Sequence, residues 1–206
     1  MILHDFPQGS EEWFAIRAGK PTASQFSRLI SSKGERSKSL SGYARELASE
    51  LYAGKTLNEF HGNVWMERGR DLEAEAISLY EFTHDATISR VGFCTNDAGE
   101  YGCSPDALIG DDGGLETKCL KAERHVEAVT YYAKHKCAPS GYVQQVQGGL
   151  FVTGRKWWDL MFFNPELPPL IVRHVPDLEL HAALAAGLAD CIRERDEVLK
   201  MLRAEQ

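Results

Sequence analysis

The amino-acid sequence predicts an α/β fold in which helices flank a mixed β-sheet, and three observations predict it. Helical patterns fill the N-terminal third, short β-branched and alternating segments cluster in the middle, and one long leucine- and alanine-rich helical pattern closes the chain. Strands bracketed by helices on both sides imply a sheet packed by helices. At 206 residues the chain can bury a core without covalent staples. No repeat or Pro/Gly/Ser-rich linker divides it, so residues 1–206 read as one domain. We divide that domain into a helical part to about residue 85, a core from about 86 to 176, and a terminal helix from about 177 to 206.

In chain order, Ser10 can cap a first helix whose first turn carries Glu11 and Glu12 at the positive end of the dipole. Thr22 is placed to cap a second helix over TASQFSRLI, and the polar, basic SSKGERSK that follows reads as an exposed loop. A third helix runs from about Ser41 to Tyr52 and stops at Gly54. From about Asn63 to Phe82, Met66, Gly69, Glu73, Ile77 and Tyr80 share one helical face, which places an acid in a largely apolar stripe. TISRVGFCT, YGCSPDALIG and GLETKCL read as strands, the last two joined through GDDGG. Helices follow over about Ala122 to Lys136 and from near Ser140 to near Gly154, then strands WWDLMFFN and LIVRHV, then a helix from Asp177 to Glu205.

Composition excludes several classes. With 43% hydrophobic and 26% charged residues the chain is neither disordered nor fibrous. The start, MILHDFPQGSEEWF, lacks a basic stretch followed by an apolar one, and no segment approaches the roughly 18 apolar residues of a membrane span. A cytoplasmic protein without membrane contact is therefore expected. Five cysteines with no C-x-x-C pair fit neither a disulfide framework nor a thiolate zinc site, and we read them as reduced and mostly core. The histidines show no H-x3-H or H-E-x-x-H spacing, which excludes the usual zinc-hydrolase patterns. The net charge of -7 argues against a uniformly basic surface, yet Arg17, Lys20, Arg28, Lys33, Arg36 and Lys38 face only Glu35 within their own segment.

The stretch richest in chemistry is Ser104-Pro105-Asp106, followed by nine residues and Glu116-Thr117-Lys118. Strand alternation points Glu116 and Lys118 the same way. With residues 110–114 as the turn, Leu108 opposes Glu116 and Asp106 opposes Lys118, so all three polar groups share one face. A one-residue slip would move Asp106 to the other. Two adjacent carboxylates raise each other's pKa unless a cation holds them, and oxygen-only ligands select a hard ion, Mg²⁺ or Mn²⁺. A neighbouring lysine can orient or deprotonate water, or stabilise charge at phosphorus. Together these groups suit metal-assisted phosphodiester hydrolysis. E-x-K by itself is a common pair on exposed strands, so the weight rests on the Pro-Asp and the hairpin spacing.

P-D-x9-E-T-K resembles the PD-(D/E)xK nuclease core, and the wider chain is similar to the phage lambda exonuclease family, the YqaJ-like viral recombinases. The matching pieces are Trp13 and Arg17 with Thr22 to Ser24, Gly69 and Glu73 with Glu81 to Thr83, Cys103 to Leu108, Gly114 to Cys119, and Gln145 to Gln147. They occur in the family's order. The resemblance implies a restriction-endonuclease-like fold with Asp106 and Glu116 as metal ligands, the Thr117 carbonyl as a further one, and Lys118 acting on water. It places Glu73 near a second metal or its water and Gln145 as the group that positions water or substrate. It assigns Arg17, Ser24, Ser104 and Arg124 to a terminal 5′-phosphate, a dianion suited to charge-assisted hydrogen bonds. Met66 would be an apolar wedge near the duplex fork.

The activity it implies is a Mg²⁺-dependent exonuclease, with Mn²⁺ an alternative and two ions expected. Such an enzyme degrades the 5′-ended strand of linear double-stranded DNA to mononucleotides and leaves a 3′ strand for recombination. A homotrimeric ring is implied, its channel including Lys33, Arg36 and Lys38, together with a single-strand annealing partner and a phage or prophage origin. The alternatives are an endonuclease with the same core and a non-catalytic DNA-end-binding scaffold. Cleavage of closed circles distinguishes the first, and intact Asp106, Glu116 and Lys118 argue against the second.

Overall fold

The computed structural model describes residues 1–57 and 64–205, with the side chains of residues 64–71 outside the described part. In chain order the elements are β1 (Ile2–His4), α1 (Glu11–Arg17), a 3₁₀ helix (Ala23–Arg28), α2 (Leu40–Ala53), α3 (Val64–His84), β2 (Ile88–Ser89), β3 (Phe93–Thr95), β4 (Gly102–Cys103), β5 (Ala107–Ile109), β6 (Gly113–Cys119) and α4 (Ala122–His135). A short 3₁₀ turn (Ser140–Tyr142) leads into α5 (Val143–Thr153), followed by β7 (Trp157–Asn164), β8 (Leu167–His174) and α6 (Leu178–Ala204). The main sheet has the order β2-β5-β6-β7-β8, and a smaller one the order β1-β3-β4. Within the main sheet β6 and β7 are parallel and the other neighbours antiparallel. A parallel pair requires a crossover, which α4 and α5 supply.

Alternation along the strands divides the core into two layers. Leu108, Trp158, Leu160 and Phe162 pack towards α5, α2 and α6, whereas Ala107, Ile109, Leu115, Met161 and Phe163 pack against Ile77 and Tyr80 of α3. Covered on both sides, β7 is buried along nearly its whole length. No helix among the described residues is long and apolar enough to cross a membrane. Cys94, Cys103 and Cys191 are core residues.

Local chemistry explains most boundaries. The Ser10 hydroxyl accepts from the Trp13 amide at 3.2 Å at the start of α1, and the Asp177 carboxylate accepts from the Leu180 amide at 3.0 Å at the start of α6. The residues after Thr22 wind as a 3₁₀ rather than an α-helix, and the Thr22 side chain makes no cap bond. Strand β1 was not expected from the sequence. It pairs with β3, and Gly92 is required beside it, because a Cβ there would lie 1.9 Å from the Phe6 carbonyl oxygen. That crossing breaks TISRVGFCT into β2 and β3, which belong to different sheets. YGCSPDALIG is likewise split, into β4 and β5.

One polar cluster runs from inside the α3-facing layer to solvent, where the Arg173 side chain is 53% exposed. Asp159 and Tyr80 are each 1% exposed. The Tyr80 hydroxyl donates to Asp159 Oδ2 at 2.6 Å, and Arg173, the cross-strand partner of Asp159, donates to both its oxygens at 2.8 Å. Burial and this hydrogen bond push the Tyr80 hydroxyl pKa up.

The first residues of β6 are glycines because tryptophan rings lie against them. A Cβ on Gly114 would approach Trp158 ring carbons to 2.3 Å, and Trp158 is only 1% exposed. Gly114→Ala should therefore lower unfolding free energy by about 1–3 kcal/mol, the usual cost of overpacking a core. Urea denaturation measures this, and an unchanged midpoint would mean that the indole moves aside without cost.

Candidate active site

The site forms where β5 stops. Ile109 pairs with Gly113, Leu108 with Gly114 and Ala107 with Leu115, so the turn is Gly110 to Asp112 and the register lies two residues from the one expected. A two-residue shift preserves strand parity, so Glu116 and Lys118 keep one face, while Asp106, just outside β5 at the level of Glu116, turns to the strand edge at Thr117. Arg155 holds this short turn: its Nη1 donates to the carbonyls of Ile109, Gly110 and Gly113 at 3.2, 2.8 and 2.6 Å.

Continued, the ladder would place Pro105 opposite Thr117. Proline has no N–H to give, and its carbonyl accepts from Gln8 Nε2 at 3.0 Å instead. The Thr117 amide, left without a strand partner on that side, donates to Asp106 Oδ2 at 2.5 Å, and the Thr117 hydroxyl donates to the same oxygen at 2.8 Å. A strand residue's N–H and C=O point to the same side, so the Thr117 carbonyl also faces the open edge.

On the α5 face, Lys118 Nζ donates to Glu116 Oε1 at 2.7 Å and to Gln145 Oε1 at 3.0 Å, while Gln145 Nε2 donates to Glu116 Oε1 at 2.5 Å. The Lys118 ammonium also lies 5.9 Å from the Tyr142 ring centre. Glu116 is 5% exposed. Burial, reinforced by the Asp106 charge and by Glu73, pushes its carboxyl up to about 8 against the pull of Lys118. Burial raises Asp106 as well, opposed by the Thr117 hydrogen bonds. Burial would lower the Lys118 ammonium, but the Glu116 carboxylate outweighs it and holds the group above its ordinary value.

A cleft open to solvent is lined by Arg17, Ser24, Ser104, Glu116, Gln145 and Trp158 among others. The Ser104 hydroxyl accepts from Arg17 Nη1 at 3.0 Å and from Trp13 Nε1 at 3.1 Å, and the guanidinium stacks 4.0 Å over the Trp13 ring centre. Among the described residues Arg17 makes no ion pair, and burial lowers its pKa despite the favourable Tyr43 and Glu50. A half-buried cation without a carboxylate is prepared for an anionic ligand.

Six of the expected site residues thus converge: Asp106, Glu116, Thr117, Lys118 and Gln145 around the β6 edge, with Glu73 close enough on α3 to act electrostatically on Glu116. Arg17, Ser24 and Ser104 share the cleft with them. Arg124 is not brought there. It lies exposed on α4 in a 2.7 Å ion pair with Glu127, outside the cleft lining. Arg36 is held by Glu194 and Asp190 of α6 rather than left open. The Met66 side chain lies outside the described residues. In the sequence Trp13 belongs to a matching piece without a role in the site, and Tyr142 has no role assigned. Their spacing was the available signal: Trp13 sits four residues before Arg17 and Tyr142 three before Gln145, the separations that bring helical side chains together.

A divalent cation fits these residues by their donor chemistry. Oδ1 of Asp106 and Oε2 of Glu116 make no hydrogen bond among the described residues, and the Thr117 carbonyl stands beside them. No three His, Cys, Asp or Glu side chains converge at metal-binding distance among the described residues. Two carboxylates with a main-chain oxygen suit Mg²⁺, which keeps several waters and needs few protein ligands.

Solved structures with this architecture include exonucleases. The chain is similar to an alkaline exonuclease, LHK-Exo, from Laribacter hongkongensis, at 28% identity and TM-score 0.81, covering 95% of this chain and 97% of that one. That protein has also been solved in complex with dAMP. A phage-related exonuclease from Haemophilus somnus 129PT shares the fold at 18% identity and TM-score 0.68, covering 89% and 96% of the two chains. No curated protein sequence matches the chain significantly. The mixed sheet, with Pro-Asp and Glu-x-Lys on neighbouring arms of one hairpin, defines a PD-(D/E)xK-like nuclease fold. Residues 12–156 match the YqaJ-like viral recombinase domain, and the chain belongs to that family.

The raised Glu116 pKa has a measurable consequence. Between its ordinary value of 4.5 and about 8 the folded chain keeps a proton that the unfolded chain has released. Raising pH through that window therefore removes stability from the metal-free protein. A cation that replaces the proton should raise Tm more at alkaline than at mildly acidic pH, and Glu116→Gln should remove that difference. A Mg²⁺-induced Tm shift independent of pH would contradict the donor set.

Proposed function

We propose that this chain is a divalent-metal-dependent exonuclease that enters at the ends of linear double-stranded DNA, degrades the 5′-ended strand and releases mononucleotides. The observation that carries this reading is the shared cleft: Arg17, which makes no ion pair among the described residues, lines it with Ser24 and Ser104 on one side and Glu116 and Gln145 on the other. A terminal phosphate held by Arg17 and Ser104 sets the next phosphodiester towards the carboxylates, and such a phosphate exists only at an end. Family membership and the dAMP complex of the similar Laribacter enzyme support it.

In this reading Asp106, Glu116 and the Thr117 carbonyl hold Mg²⁺ or Mn²⁺, and Glu73 approaches a second ion from α3. The bound ion supplies Lewis acidity and a more acidic water. Thr117 fixes the Asp106 carboxylate through two donors. Gln145 and Glu116 fix the Lys118 ammonium, so that its charge stays next to the phosphorus where negative charge develops, with no reorganisation during the reaction. Arg124 reaches the 5′-phosphate only by leaving Glu127, and Met66 supplies the wedge at the fork. The remaining 3′ strand passes to an annealing partner in a phage-type recombination within the cytoplasm. Three copies form a ring around the duplex, with Lys33 and Lys38 towards its channel, because a threaded substrate is not lost between cleavages.

End-labelled linear duplex should be degraded with Mg²⁺ and left intact with EDTA. Asp106→Ala, Glu116→Ala and Lys118→Ala should each reduce kcat by about a hundredfold or more, the scale of losing one preorganised electrostatic group. Turnover near that of the wild type in any of them would sink the assignment, and cutting of closed circles would favour an endonuclease. A 5′-phosphorylated end should be degraded faster than a 5′-hydroxyl end, and Arg17→Ala should erase the difference. Equal rates in the wild type would detach Arg17 from the phosphate. Light scattering should give about three times the 23.0 kDa chain mass. A processive monomer would remove the ring and leave the chemistry standing.

A further inference from the structure

The Tyr80–Asp159–Arg173 cluster lies away from the cleft and takes no part in the mechanism above. We propose that it is a positioning device that sets the roll and height of α3 so that Glu73 reaches the carboxylate site. This proposal rests on the reading of Glu73 as an active-site acid.

The geometry begins with direction. The chain leaves α3 and enters β2, which pairs with Ile109 at the foot of the β5–β6 hairpin, so the C-terminal end of α3 lies at the start of β6. Tyr80 is bonded to Asp159, which pairs with Leu115 across the parallel β6–β7 ladder, and Tyr80 therefore stands at the level of Leu115. Glu73 lies seven residues earlier on α3, two turns back and on nearly the same face, which is about 10.5 Å along the helix axis. Three to four strand residues cover a comparable distance, at about 3.3 Å each. Counting from Leu115 along β6, that brings Glu73 level with Lys118 and Cys119. The electrostatics agree: Glu73 acts on both Cys119 and Glu116.

Apolar contacts cannot hold that alignment alone. The sheet-facing residues of α3 include Ala76, Ile77 and Tyr80 against Ala107, Ile109, Leu115 and Met161, and burial of this kind is non-directional, so a small roll costs little. The Tyr80 hydroxyl adds direction. It is 2.6 Å from an aspartate whose two oxygens are already fixed by Arg173 on the neighbouring strand, and Arg173 is in turn stacked 3.9 Å over the Trp157 ring centre. A buried ionic group that fixes register is the best-supported role for such clusters. Rotation of α3 by one residue, about 100°, would break the bond to Asp159 and turn Glu73 away from β6.

The experiment compares Tyr80→Phe, Glu73→Gln and the double variant by three readouts: Mn²⁺ affinity by calorimetry without DNA, kcat on linear duplex, and Tm. Tyr80→Phe keeps the ring and removes the hydroxyl. It should weaken Mn²⁺ binding and lower kcat by about tenfold, the usual scale for groups that orient a ligand, with KM for DNA unchanged. The double variant should fall no further than Glu73→Gln alone, because both changes remove the same contribution. Asp159→Asn should reproduce the loss in a second background. A lower Tm with unchanged Mn²⁺ affinity and kcat, or additive losses in the double variant, would reduce the cluster to a structural role and overturn the proposal. If Glu73→Gln itself changes neither affinity nor kcat, the reading of Glu73 fails and takes this proposal with it, while results for Asp106 and Glu116 stand apart.

Discussion

The arrangement depends on one substitution of partners: a carboxylate takes the place of a missing strand. β5 begins only at Ala107 because Pro105 cannot extend the ladder, and Asp106 bends back to satisfy the Thr117 amide and hydroxyl. An unsatisfied backbone N–H inside a sheet is costly, so the same bond that settles the β6 edge also orients Asp106 beside Glu116. The acid pair follows from the way the sheet ends there.

That arrangement leaves charges in a poorly solvated place, and the surrounding residues answer it on two sides. Lys118 and Gln145 take one oxygen of Glu116 on the α5 face, which leaves the other for a ligand. Across the cleft Arg17 carries the opposite problem, a cation without a carboxylate, steadied by the Trp13 ring and the Ser104 hydroxyl. In the proposed reading a terminal phosphate would answer the Arg17 charge, and a divalent cation between the acids and the phosphodiester would answer theirs. The acidic net charge of -7 is compatible with this because the attraction is local.

Much of this was legible in the sequence, and what was not has identifiable physical causes. Helix ends carried their own chemistry in Ser10, Asp177, Gly54 and Gly154. Strand breaks did not, because Gly92 is needed only once β1 lies across it, a contact between residues far apart in sequence. The hairpin register differs by two residues from the expected one because the extra grip of Arg155 on the turn is a long-range contact, yet parity keeps Glu116 and Lys118 on one face and Thr117 brings Asp106 beside them. Arg124 is a different case: resemblance supplies a role, and in the structure its guanidinium rests on Glu127, three residues along the exposed face of α4. The α3 stripe revealed Glu73 as an acid in an apolar row, while the partner that fixes the helix, Asp159, lay on a distant strand with no local mark.

The Arg155 grip has a bearing on how the hairpin tolerates change. The tip at Gly110 and Asp111 is exposed, which ordinarily marks a permissive site for inserting residues, an affinity tag or a fluorophore. Here three carbonyls around that tip share one guanidinium, and both hairpin arms run directly into Asp106 and Glu116. An odd number of added residues taken up within the ladder would exchange the two faces of β5. The turn around Gly99, with Asp97 and Ala98 exposed and open space around the Gly99 Cα, joins two strands of the small sheet and is the better place to attach a label.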